Sequence, residues 1–465
     1  MLPKAILLAC LAFFYWLIRR DTARRNGISR ALWLPTIWVG IIASRPLSMW
    51  LGFGGATDTL EGSPVDRLFF MGCILMAFVI LWRRRLVWSA ALFRNWPVFL
   101  FYAYLLVSVL WAEFPLVSFK RWFKEFGNIV VALVILTEVD PQEAIRAVFV
   151  RCAYVLIPLS LVFIRYFPQL GRYYNQHSGV MEAVGVGVQK NSLGALVVIG
   201  GLGLTWDWLE RSQPGAGFRG RFDRYWPFVV LGIGVYLLWL CDSKTSILCL
   251  AIGAFVLSTA RMPLLRERIR LLGFWAVALV LLFFSLDALF GIKEAIVRGL
   301  GRDMTFTGRT NVWRELLALH TDPLLGTGFC SFWSDQHYLS RLPPGSGVGT
   351  SAHNGYLEVF IDGGMVGLFF LGMMLLATGM RINRQLGTGG NYVLMQFAAF
   401  VAMVVGSFSE SHFGRMSPLG FLFLLTAIGE AQTASASEST VAAYDLRKGN
   451  IAPQTERPEA LAEHG

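Results

Sequence analysis

Four cations in this chain stand where an anion could reach them. Lys190 lies in GVGVQKNSLG with Asn191 beside it, Lys244 lies in CDSKTS, and Arg302 and Arg309 lie in GLGRDMTFTGRT. Small polar neighbours let an anion come close and expose backbone N–H donors where a helix begins. A pyrophosphate or another lipid-borne phosphate suits such a set. The plainer role for any one of them is to snorkel to lipid headgroups. His353 follows a Gly/Ser-rich hinge, RLPPGSGVGTS, and precedes Asn354; Glu358 comes one helical turn later and Asp362 one turn after that. Histidine can take and return a proton near neutrality, although an edge histidine can also simply satisfy a carbonyl. Glu410, in FSESHFGR, could bind a sugar hydroxyl or pair with Arg415. The other histidines (His177, His320, His337, His412 and His464) fall in no metal-binding spacing, and the acids are scattered. Phosphate chemistry here would therefore be neutralised by side-chain cations rather than by a divalent metal.

The elements that must hold these residues are written in the composition. Of 465 residues 55% are hydrophobic and 15% charged, against about 25% charged in a soluble domain. A chain with so little polar surface cannot cover itself in water, which excludes an ordinary soluble enzyme. The 16 Trp and 36 Phe suit lipid and its interface. Apolar runs give about 12–14 spanning helices, an all-α polytopic membrane protein. The net charge of +11 is not a nucleic-acid signal, because the arginines sit in short clusters between apolar runs. The clusters at 19–30, 83–94, 146–151, 211–224, 261–270 and 381–384 alternate along the chain and mark cytoplasmic loops, leaving 291–354 outside. The first apolar run, with arginines after it, reads as a retained helix rather than a signal peptide. The expected organisation is a bundle over 1–290, a large outer loop over 291–354, further spans over 355–430 and a disordered cytoplasmic tail over 431–465. Within the loop, 310–320 reads as an interfacial helix ended by Asp322-Pro323. Five cysteines lie in or at the ends of apolar segments and Cys330 in the loop, with no zinc or disulfide spacing.

The string GRTNVWRELLALHTDPLLGTGFCSFW, followed by HNGYLEVFIDGGMVGLFF, resembles the signature of the O-antigen ligase and exopolysaccharide polymerase family; QKNSLG, SKTS and FSES resemble its other recurrent stretches. The resemblance implies a GT-C-like membrane glycosyltransferase in the bacterial inner membrane. Such an enzyme moves a glycan from undecaprenyl pyrophosphate to an acceptor hydroxyl at the periplasmic face, with no metal or other cofactor. It implies His353 as the base, and Lys190, Lys244 and Arg309 at positions where members hold the pyrophosphate. Many members carry Arg where Lys244 stands and His where Gln189 stands, and a lysine makes a point contact rather than a bidentate fork. QKN and SES favour exopolysaccharide polymerisation over ligation to lipid A-core, and transfer to protein is a third acceptor choice. A flippase and a chain-length regulator are the partners the resemblance suggests. From another class, a transporter or flippase of the lipid-linked glycan would show charges near mid-bilayer and repeated halves, and the sequence shows neither.

Overall fold

The computed structural model describes residues 2–25, 27–53, 62–174, 179–215, 218, 220–262, 309–319, 321–341, 351–386 and 389–429. Arg302 and the rest of 263–308, the hinge at 342–350 and the 431–465 tail lie outside these residues. The described elements are helices apart from one short antiparallel pair, β1 (Arg172–Tyr174) with β2 (Met181–Ala183).

In chain order the main helices are α1 (Leu2–Arg24), α2 (Trp33–Ile42), α3 (Pro64–Arg83), α4 (Trp88–Arg94), α5 (Trp96–Val107), α6 (Pro115–Leu136), α7 (Pro141–Tyr166), α8 (Lys190–Arg211), α9 (Arg221–Cys241), α10 (Lys244–Ser258), α11 (Arg309–Ala318), α12 (Gly355–Gln385), α13 (Asn391–Gly406) and α14 (Pro418–Ala427). Their starts follow local chemistry. Asp140 accepts from Glu143 N ahead of Pro141, Ser417 accepts from Gly420 N ahead of Pro418, and Asn354 accepts from Tyr356 N and Leu357 N. Each satisfies donors that a helix N-terminus leaves open.

The chain is an all-α, multi-pass membrane protein. Among the described residues, α3, α7, α8, α9 and α12 are long and apolar enough to cross a bilayer, and α4 with α5 makes a sixth if that 93° bend is one span. The expectation of 12–14 spans also counted α10, α13 and α14, which have 15, 16 and 10 residues. At about 1.5 Å per residue these are shorter than a bilayer core. They sit among longer helices instead. The centre is α7 and α8, whose apolar windows are 83% and 78% buried, against 17% for the peripheral α3. Close approach of α7 and α8 uses small residues: a Cβ on Gly203 would lie 2.9 Å from the Phe149 Cβ.

Among the described residues, arginines of four of these clusters hold acids or carbonyls on neighbouring elements. Arg25 bonds Asp21, Glu143 and Asp207; Arg151 bonds Asp21; Arg20 and Arg24 hold Asp223; Arg84 holds Glu138; and Arg381 donates to Thr426 and Ala427 carbonyls. The starts of α8, α10 and α12 and the 407–417 loop, which carry candidate chemistry, meet through side-chain hydrogen bonds.

Candidate active site

The site is built around a break in α12. The apolar run from Gly355 reads as one continuous span, but Gly364 has φ 61° and ψ −157°, so the helix is two pieces. The DPLLGTGF segment closes the break. Thr327 N donates to Ile361 O (2.8 Å), Gly328 N to Asp362 O (2.9 Å) and Met365 N to Pro323 O (2.9 Å), while Tyr104 Oη donates to Gly363 O (2.6 Å). Backbone groups freed by the break are thus satisfied inside the protein, the condition under which an irregular helix survives at membrane depth. The Asp322 side chain, accepting from Leu324 N and Leu325 N, shapes the turn that enters.

The first piece of α12 carries Glu358 and Asp362 on one face, and Arg415 binds both, at 3.0 and 2.8 Å. Burial alone would lower the affinity of Arg415 for its proton, but the two carboxylates hold it well above the ordinary value. Glu358 is 1% exposed and also accepts from Trp333 Nε1 (2.7 Å) and Ala352 N (2.9 Å). Arg415 therefore faces Glu358 and Asp362, and Glu410 turns elsewhere.

Glu410 Oε2 lies 3.3 Å from His353 Nδ1, and Asn191 Nδ2 donates to Glu410 Oε1 at 2.5 Å. Asn191 Oδ1 is reached by Ser243 Oγ at 3.5 Å, and Thr245 Oγ1 and Ser409 Oγ are 2.6 Å apart. One polar chain thus joins the start of α8, the start of α10, the mouth of α12 and the 407–417 loop. His353 holds φ 49°, a left-handed conformation that costs a non-glycine residue about 1 kcal/mol or more. Its neighbours impose it. Ala352 N is held by Glu358, His353 N by Ser351 Oγ, and Gly355 N by Ser407 O.

The other candidates are placed as follows. Lys190 opens α8 and meets Glu182 (2.7 Å); Lys244 opens α10, is half exposed and meets Asp242 (2.8 Å). Arg309 opens α11, which ties to the site through Trp313 Nε1 donating to Ala352 O (2.9 Å). Asn354 caps α12 and Glu358 is locked within the fold. Sequence reasoning missed Arg45, which is 9% exposed and donates to the Leu170, Gly185, Val186 and Gly187 carbonyls, fixing the loop that leads into Lys190. It also missed Glu182 and Asp242. Only the sequence proximity of these acids to the lysines could have pointed to them.

His412, two residues after Glu410, is a rival histidine, with Nδ1 2.9 Å from Ser417 Oγ. Burial pushes it down to about 4 against the opposing pull of Glu410, so it is neutral at pH 7. An unfolded histidine binds its proton near pH 6.5 while the folded one waits until about 4. Stability that is full above pH 6.5 should therefore be lost as pH falls toward 4, by a penalty on the order of 3 kcal/mol. Thermal unfolding in detergent across that range should show the loss in wild type and a shallower one in His412→Gln. Coincident curves would remove His412 as the cause.

The O-antigen ligase family profile matches residues 227–372, a stretch containing Lys244, Arg309, His353 and Glu358 but not Lys190, Asn191 or Glu410. The chain is 26% identical over 306 residues to the Exopolysaccharide production protein ExoQ of Rhizobium meliloti (strain 1021), covering 60% of this chain and 63% of that relative. Residues 227–372 are thus similar to the O-antigen ligase family, and 60% of the chain is similar to an exopolysaccharide production protein, of whose own length it spans less than two thirds.

Proposed function

We propose that this protein is a glycosyltransferase that moves a glycan from undecaprenyl pyrophosphate to an acceptor sugar hydroxyl, extending an exopolysaccharide or O-antigen chain at the periplasmic face of the bacterial inner membrane. The observation that carries the reading is the His353–Glu410–Asn191 chain, ending at the helix start where Lys190 stands. With Glu410 accepting from Nδ1–H, the lone pair of His353 sits on Nε2. Nε2 takes the proton of the acceptor hydroxyl as its oxygen bonds to the anomeric carbon. The bond from that carbon to the pyrophosphate oxygen breaks, its electron pair leaves with the lipid pyrophosphate, and the anomeric centre inverts. Lys190, Lys244 and Arg309, with the N-termini of α8, α10 and α11, supply positive charge for the leaving group. Glu358 and Asn354 serve by holding the backbone of His353 in place.

Ligation to lipid A-core or to protein would use the same chemistry with a different acceptor. Transport is the second reading, because discontinuous helices line transporter sites and α12 is broken at Gly364. Here residues 323–328 fill that break, which supports a closed support rather than a path. The test is purified protein in nanodiscs with an undecaprenyl pyrophosphate-linked repeat unit. Longer glycan appearing with free undecaprenyl pyrophosphate supports transfer, whereas movement of the lipid between leaflets without new glycosidic bonds overturns it. Loss of one charge-assisted contact costs about 1.5–3 kcal/mol. Lys190→Gln and Lys244→Gln should each raise the donor KM about tenfold or more, and an unchanged donor KM in both would remove the lysines from the donor site.

A further inference from the structure

The β1–β2 hairpin stands beside the site with two unlike faces. Tyr173 pairs with Glu182 across the strands, and Tyr174 with Met181. Residues directly opposite project to the same side, and successive residues to opposite sides. One face therefore carries Tyr173 and Glu182, the other Tyr174 and Met181. The second face is apolar, with both side chains 55% exposed, as a surface against lipid would be. The first face leads to the site, because Glu182 reaches Lys190 at 2.7 Å while β2 packs on α9. Tyr173, 51% exposed, is thus an open aromatic ring one cross-strand step from the lysine at the start of α8.

The base of the hairpin is anchored. Val184 N and Gly185 N donate to Gly171 O (2.9 and 3.0 Å), Arg172 Nε donates to Ile164 O (3.1 Å), and Arg45 grips the carbonyls on both sides. An ammonium has three donors, so Lys190 can hold Glu182 and a phosphate oxygen together.

We propose that the Tyr173–Glu182 face is the seat of the first pyranose of the donor, the sugar joined directly to pyrophosphate. The ring of Tyr173 stacks on the apolar face of the sugar and Glu182 accepts from its hydroxyls. The proposal rests on the reading of Lys190 as a pyrophosphate contact and adds to it the residues that recognise the sugar. Stacking on one aromatic ring is worth about fivefold to tenfold in affinity.

The test measures binding of two probes to the full-length protein in nanodiscs: bare undecaprenyl pyrophosphate and a panel of undecaprenyl pyrophosphates carrying one hexose. Wild type should bind the favoured hexose-bearing lipid at least about fivefold more tightly than the bare one. Tyr173→Ala should shrink that increment severalfold without changing affinity for bare lipid, Tyr173→Phe should keep it, and Tyr174→Ala should keep it. An increment that survives in full in Tyr173→Ala, or one reduced equally in Tyr174→Ala, overturns the proposal. Bare undecaprenyl pyrophosphate that binds Lys190→Gln as tightly as wild type overturns the pyrophosphate contact and the sugar seat with it. A normal Lys190 effect with an unaltered increment in Tyr173→Ala overturns the sugar seat alone.

Discussion

His353→Ala should lower glycan transfer by about 10²–10⁴-fold, the range of one positioned base, while the donor still binds. The two effects separate because the proposed base stands at the mouth of α12, whereas the lysines proposed to hold the leaving group open α8 and α10. Glu410→Gln is the sharper test of how the imidazole works. The carboxylate has two acceptor oxygens in use, one for His353 Nδ1 and one for the Asn191 amide. A glutamine offers one oxygen and an NH₂, so it can satisfy Asn191 or His353 but not both. Turned toward Asn191, it would present a donor to Nδ1 and favour the wrong tautomer. The expected result is a fall in kcat of about 10²–10⁴ with donor KM within about twofold of wild type. A parallel rise in donor KM would make Glu410 a substrate contact rather than a positioning residue. Full activity in His353→Ala would end the base assignment and leave proton removal to solvent.

What the sequence made legible was the all-α membrane fold and the residues that gather, rather than how they pair. QKN, SKTS, HN and FSES could be singled out because cations, imidazole and small polar residues are costly beside lipid, so each needs a reason to be there. Their meeting was also readable, since arginine clusters set which loops share a side. The partners were not readable. Glu358 and Asp362, one turn apart, had to share a helix face, but which cation faced them depends on how the 407–417 loop folds back. That loop gives Arg415 to α12 and Glu410 to His353, the reverse of what adjacency suggests. The exact span count was not readable for a related reason. Hydropathy cannot tell a helix that crosses alone from a short one such as α14, whose residues are buried among its neighbours. Asp322-Pro323 announced a helix end, but not that the segment after it enters the broken helix.

That turn makes Gly364→Ala the most damaging small substitution expected outside the chemistry. Two costs combine. The residue has φ 61°, which disfavours any side chain, and an added Cβ would lie 2.2 Å from Leu324 O and 2.3 Å from Leu324 C. These are backbone atoms held by their own bonds: Leu324 O accepts from Val366 N, and Pro323 O from Met365 N. They cannot swing away as a side-chain tip would, so the segment must withdraw and leave the backbone groups of the break unpaired, a loss of several kcal/mol. Gly326, with φ 70° and a would-be Cβ 2.6 Å from the Gly363 nitrogen, makes the same contact from the other side and should fail in the same way. Gly372 supplies the control. It lies further along the same helix, and an added Cβ there would meet nothing within 4 Å. Gly372→Ala should therefore be neutral or stabilise by up to about 1 kcal/mol, the helix preference for alanine. Thermal unfolding should place Gly364→Ala and Gly326→Ala well below wild type, with transfer lost because Glu358 and Asp362, which sit just before the break, no longer meet Arg415. If Gly364→Ala melts and turns over like Gly372→Ala, the segment is not what holds the two pieces of α12 in register, and the support of His353 must come from the Asn354 cap and the Ser407 contact alone.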